Sequence, residues 1–326
     1  MGGSRLRLAQ EGNVRFFNEY TQGLDSPARP AGKKYGASAA RSFLMVLLFG
    51  MAGCASMAPE GPVTKETVWA VTAGHQLIKF NGGQPGRILE RKEVSGLAND
   101  ESIVGIDFRV ARGVLYALSS AGRLYTLDTA SGALKPVGAG AVALTAGAAY
   151  GMDFNPTVDR IRVVNEAGQN LRLHPDTGAQ VDFDAATPGI QADGKLAYAS
   201  GDVHAGAAPR IAAAAYTYNK RDDKLTTNFA IDRAFGTLVT QGTREGMQPA
   251  VSPNTGQLFT VGSLGLGPLE TVSFDISDLD NTALAAVSTG AEKRARLYQL
   301  DLQSGQARLL GTVGDGAALR GMAIEP

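Results

Sequence analysis

Two stretches of the chain carry residue types that chemistry would need. Gly105-Ile106-Asp107-Phe108 recurs as Gly151-Met152-Asp153-Phe154, so Asp107 and Asp153 hold matching places in a repeat. Expected on innermost strands near a channel mouth, two such carboxylates could act as acid and base on a glycoside or help to bind calcium. A motif repeated within one chain also reads as scaffold, with each Asp accepting turn hydrogen bonds. The second stretch is unlike the other repeats in its polar content. Residues 159–174 gather hydrogen-bonding side chains, among them Arg160, Arg162, Asn170 and Arg172. Arg160 and Arg162 are two apart and share one face of a strand, and Arg172 can join them from the next strand. Three guanidinium groups offer bidentate hydrogen bonds to a carboxylate, a sulfate or a uronic acid. The competing reading is a salt-bridged outer face, with Asp159 and Asp176 as the neutralising partners.

Other motifs are weaker. Asp275, Asp278 and Asp280 lie close together but lack the calcium-loop spacing and its closing Glu, so they read as an acceptor-rich turn. His75, His174 and His204 are far apart, and neither a His-Glu-x-x-His pair nor a Gly-x-Ser-x-Gly elbow occurs. The Gly-rich run 262–267 lacks the Lys of a phosphate loop and reads as a connection between repeats. No metal site and no cofactor is expected.

The elements that must position these residues are short. Runs of Val, Ile, Leu, Tyr and Phe alternate with Gly, Asn, Asp and Pro, and no segment keeps a capped 3.6-residue apolar period. The chain is therefore expected to be all-β. Leu124–Asp128 before Gly132 resembles Leu171–His174 before Gly178 and Leu297–Asp301 before Gly305, with weaker copies at Ile78–Gly86 and Phe229–Gly236. The turn glycines 86, 132, 178, 236 and 305 are spaced by 46, 46, 58 and 69 residues. A period in the forties with four short strands predicts a β-propeller. Five blades are expected, and a sixth could lie within 236–305, built from Gln257–Gly262 and Val272–Ile276. The domain opens on a second-strand segment, Val68–Val71, and ends on an innermost-strand pattern, Gly321–Ile324. Pairing of these two would close the ring and remove open edges.

Composition sets the outer limits. The 326 residues contain 31 Lys plus Arg and 31 Asp plus Glu, a net charge of zero. That zero averages unlike parts. Residues 1–53 hold seven bases and three acids, which leaves 24 bases and 28 acids beyond them. A mildly acidic domain has no field to hold nucleic acid. The one cysteine can make neither an internal disulfide nor a cysteine-based zinc site.

Lys33, Lys34 and Arg41 precede an apolar run from Phe43 to Phe49 and then Met51-Ala52-Gly53-Cys54. A basic segment, a short apolar core and small residues describe an export signal, and the run is too short to span a membrane. Met51–Cys54 resembles the bacterial lipobox, with Met51 where Leu is usual. The resemblance implies cleavage before Cys54, lipidation of its thiol and, with Ala55 next, sorting to the outer membrane. Residues 1–53 are thus expected to be a leader, with either a start codon assigned too far upstream or an extended basic region, 54–66 a lipidated tether, and 67–326 the propeller.

Gly151–Asn165, Gly168–Gly178 and Ala213–Asn219 together resemble the bacterial family known as domain of unknown function 4394. The resemblance covers about residues 67–324, with His174 where Asn is expected. It implies an exported propeller-like domain and carries no catalytic residues with it. The expected function is a lipid-anchored envelope module that binds a protein, a glycan or a small anion. A propeller hydrolase or lyase acting on a glycoside or lactone through Asp107 and Asp153 is the alternative, and a structural envelope role is a third.

Overall fold

The computed structural model describes residues 61–98, 100–146 and 149–326. The leader and Cys54 lie outside the described residues. Twenty strands form five sheets, and among the described residues the only helices are two single 3₁₀ turns.

Blade 1 contains β1 (Thr67–Thr72), β2 (Gln76–Asn81) and β3 (Gln84–Glu93). Blade 2 contains β4 (Ile103–Arg109), β5 (Val114–Ser119), β6 (Leu124–Leu127) and β7 (Leu134–Pro136). Blade 3 has three strands, β8 (Tyr150–Asn155), β9 (Arg160–Asn165) and β10 (Asn170–Leu173). The chain then places β11 (Ala197–Tyr198) on the outside of blade 4, ahead of β12 (Ile211–Tyr216), β13 (Asn228–Asp232), β14 (Thr237–Gln241) and β15 (Gln257–Ser263). Blade 5 contains β16 (Leu269–Ile276), β17 (Ala283–Thr289), β18 (Arg296–Leu300) and β19 (Ala307–Thr312), and β20 (Leu319–Ile324) returns to blade 1.

β20 pairs antiparallel with β1, setting Ile324 against Val68 and Met322 against Ala70. The ring is therefore closed by the last strand on the first blade. Hydrophobic burial follows the same circle. One core cluster fills each junction: Phe108 with Trp69, Phe154 with Leu118, Val164 with Ala230, Phe274 with Ile231, and Met322 with Leu297. Each blade is apolar on both faces and is stable only between neighbours.

The Gly-x-Asp repeat has a steric origin. A Cβ on Gly105 would sit 2.7 Å from the Met152 Cβ, one on Gly151 2.5 Å from the Ala214 nitrogen, and one on Gly321 2.8 Å from the Ile106 nitrogen. Each glycine abuts the innermost strand of the following blade. The absence of a side chain lets the strands converge on the axis.

Three sequence expectations change. A sixth blade does not form, because Gln257–Gly262 belongs to β15, the fourth strand of blade 4, and Val272–Ile276 belongs to β16, the first of blade 5. Phe229–Gly236 is the second strand of its blade with the following turn; β14 is the third. Asp275 is not in a turn but on β16, buried at the axis.

Candidate functional site

The innermost strands bring Asp107, Asp153 and Asp275 together. One carboxylate oxygen from each lies within 4.8 Å of the others, and all three residues are buried. Each carboxylate reaches forward round the ring. The Phe154 N–H donates to Asp107 Oδ2 at 2.7 Å, the Tyr216 N–H to Asp153 Oδ1 at 3.1 Å, and the Ile324 N–H to Asp275 Oδ2 at 2.6 Å. The other two blades place Ala215 and Ala323 at the corresponding positions. The N–H groups that these alanines cannot serve are taken up locally: Ile276 donates to its neighbour Asp275 at 2.6 Å, and Phe108 donates to Asp107.

Burial and mutual repulsion set the protonation. Asp107 is raised well above the ordinary carboxyl range by burial and then by Asp275. Asp153 is raised by burial and then by Asp107 and Asp275, and it hydrogen-bonds to Asp275. Asp275 is pushed up to about 7 by burial, moderated by the N–H bonds it accepts. The geometry suits a protonated Asp153 that donates to Asp275 while accepting from Tyr216. A hard cation takes six to eight oxygen ligands, whereas the N–H groups around these carboxylates are donors that would repel it. The axial space along the strands is about 20 Å³, room for a single water.

The arginine stretch lies on β9 and β10. Register places Arg172 opposite Arg162, and Arg160 two residues before Arg162. All three line one cavity of about 270 Å³, with Tyr216 and Asn254 from blade 4. Arg162 is almost fully buried. Its Nε donates to the Tyr216 hydroxyl at 3.2 Å, its Nη1 to Asn170 Oδ1 at 2.7 Å and to Asp193, and its Nη2 to Asn254 Oδ1 at 2.6 Å. Burial alone would lower its pKa, but Tyr216 and Asp193 outweigh that and hold it above the ordinary value. Arg172 forms a fork with the same Asp193 carboxylate at 2.9–3.1 Å. Among the described residues the Arg160 side chain bonds only to the carbonyl oxygens of Val158 and Asp159, through Nη1. Asn170 is buried beneath the cavity and bridges Arg162 to Gln241.

Asp159 and Asp176 do not neutralise this group. Both bind Arg109, which no motif in the sequence marks. The partner of Arg162 and Arg172 is Asp193, on the long connection from β10 to β11, where no local pattern marks it. Tyr216 was missed as well, although it stands in the Ala213–Asn219 motif. It ties the two centres together, its N–H on Asp153 and its hydroxyl on Arg162.

A closed five-bladed ring with an axial carboxyl cluster and an arginine-lined side cavity defines a β-propeller with a candidate binding site at the junction of blades 3 and 4. The model of the family described as domain of unknown function 4394 matches residues 76–323, and the chain belongs to that family. No curated protein matches it. A solved structure from Bacteroides thetaiotaomicron VPI-5482, described as a structural genomics protein of unknown function, is similar at 13% identity and a TM-score of 0.43, over 78% of this chain and 63% of that one. This chain thus spans 63% of that protein's length.

Proposed function

We propose that this propeller is a binding module of the bacterial cell envelope, held by lipid at Cys54, and that it takes an anionic ligand in the arginine cavity. The carrying observation is charge. Arg160, Arg162 and Arg172 line one cavity, and among the described residues the one carboxylate bonded to any of them is Asp193. Free N–H groups of Arg160 face a space of about 270 Å³, in keeping with a carboxylate, a sulfate or a uronic acid. Arg162, Asn170 and Asp193 form the buried floor that holds Arg172 in place; Arg160 supplies the adaptable contact.

The hydrolytic alternative finds less support. Paired glycosidase carboxylates flank an open substrate site, whereas Asp107, Asp153 and Asp275 are enclosed and engaged with the next blade. Titration of the protein with glucuronate, galacturonate and sulfate tests the binding reading. Arg160→Ala should weaken the bound anion about tenfold without altering the melting temperature. Equal affinity in both proteins would remove the proposal. Cys54→Ser should abolish incorporation of labelled palmitate in a bacterial host, and an unlabelled wild-type protein would refute the anchor.

A further inference from the structure

The arginine cavity is not isolated. A second cavity, of about 190 Å³, adjoins it, and Asn155 lines both. The turn from β8 to β9 forms the partition, so the consecutive residues Asp159 and Arg160 face different cavities. The two spaces differ in charge. The first has three guanidinium groups against one buried carboxylate. The charged lining of the second is Arg109 and Asp159. Arg109 is buried and fully committed: its Nε, at 2.9 Å, and its Nη2 donate to the two Asp159 oxygens, and its Nη1 donates to Asp176 at 2.6 Å and to the Tyr116 hydroxyl at 3.5 Å. One guanidinium is thus shared between two carboxylates. Asp159 remains 45% exposed at its side chain, so its oxygens can accept a further donor beside Arg109. Arg112 adds positive charge near Asp176 but does not line the cavity. Tyr218, Phe154 and Pro156 supply a mostly apolar wall opposite.

We infer that the ligand is a small zwitterion, its carboxylate against Arg160 and Arg172 and its ammonium group in the adjoining cavity against Asp159. This rests on the anion-binding reading and adds a second recognition element to it. An ammonium group donates to a carboxylate that accepts, and opposite charges at two fixed places select a ligand by span as well as by charge. Asn155 and Pro156 lie between, so the linking portion crosses a short, mixed surface. A uronate joined to an unacetylated amino sugar has this chemistry, and so does an amino-acid chain with separated termini.

The test uses two matched probe pairs in titrations of the purified protein. One pair is a glucosaminyl–glucuronate disaccharide and its N-acetylated form. The other is 6-aminohexanoate and 6-hydroxyhexanoate. In at least one pair the amine should bind tenfold or more tightly, and that pair tells a glycan from a peptide-like source. Asp159→Asn should shrink the ratio at least threefold while leaving the amine-free probe within twofold. Asp159 has a φ of 51°, a left-handed conformation that Asn adopts readily, so the turn should survive. If the variant nonetheless melts early, the wild-type ratios decide alone. Ratios near one in both pairs, with carboxylates still bound, overturn the zwitterion and leave the anion site standing. If no carboxylate probe binds, the anion-binding reading fails and takes this inference with it.

Discussion

Replacing Asp153 by Asn and by Ala separates a structural carboxyl cluster from a catalytic or cation-binding one. Asp153 accepts one backbone N–H, from Tyr216, and turns its other oxygen to Asp275. Asn reproduces both contacts, with its carbonyl toward Tyr216 and its amide donating to Asp275. Ala leaves the Tyr216 N–H without a partner and removes the bond to Asp275, which costs about 1–3 kcal/mol for a buried group. The wild-type protein should also show an inverted pH response. Asp275 is raised from 3.8 to about 7, so the folded state binds the proton more tightly than the unfolded chain. Its contribution is fully present below pH 4 and is lost as pH rises through 7. Three pH units correspond to roughly 4 kcal/mol, of which about 2–3 kcal/mol falls between pH 5 and 8. For a domain of this size that lowers the melting temperature by about 5–10 °C. Calorimetric melts from pH 5 to 8 read both effects. The expected result is a falling melting temperature for wild type, Asp153→Asn within about 1 kcal/mol of wild type at pH 5, and Asp153→Ala clearly below both. A melting temperature that rises from pH 5 to 8, or equal damage from Asn and Ala, would refute the reasoning.

Three further outcomes follow from the same geometry. Asp193→Ala removes the one carboxylate between Arg162 and Arg172 and should destabilise the fold by about 3–5 kcal/mol, read by chemical denaturation. Gly151→Ala should cost about 1–3 kcal/mol, since its Cβ would press on the Ala214 backbone, whereas Gly290→Ala, with open space around it, should leave the melting temperature within about 1 °C. Deleting residues 319–326 removes β20 and the inner face of the junction between blades 1 and 5, so cooperative unfolding should be lost rather than merely shifted.

A large part of the fold could be read along the chain because it is written in local repeats. The Gly-x-Asp motif recurs since blades 2 and 3 meet the next blade by the same close approach, and the closing strand is recognisable because Gly321–Ile324 carries the pattern that Val68–Val71 lacks. Local pattern and spatial role part at particular residues. Asp275 groups with Asp278 and Asp280 along the chain, but its neighbours at the axis are Asp107 and Asp153. Phe229–Gly236 has the apolar content of a third strand, while pairing makes it a second one.

The site divides in the same way. The chain by itself determined that Arg160 and Arg162 would share a strand face, because side chains alternate with period two, while the register of the next strand decides that Arg172 joins them. Which carboxylates answer them was decided only in three dimensions. Asp159 and Asp176 lie near these arginines in sequence but are drawn to Arg109 on the neighbouring blade, while Asp193 arrives from a long connection and is buried between Arg162 and Arg172. Pairing between charges is set by distance through space, and closing the ring brings together groups that the chain order keeps apart.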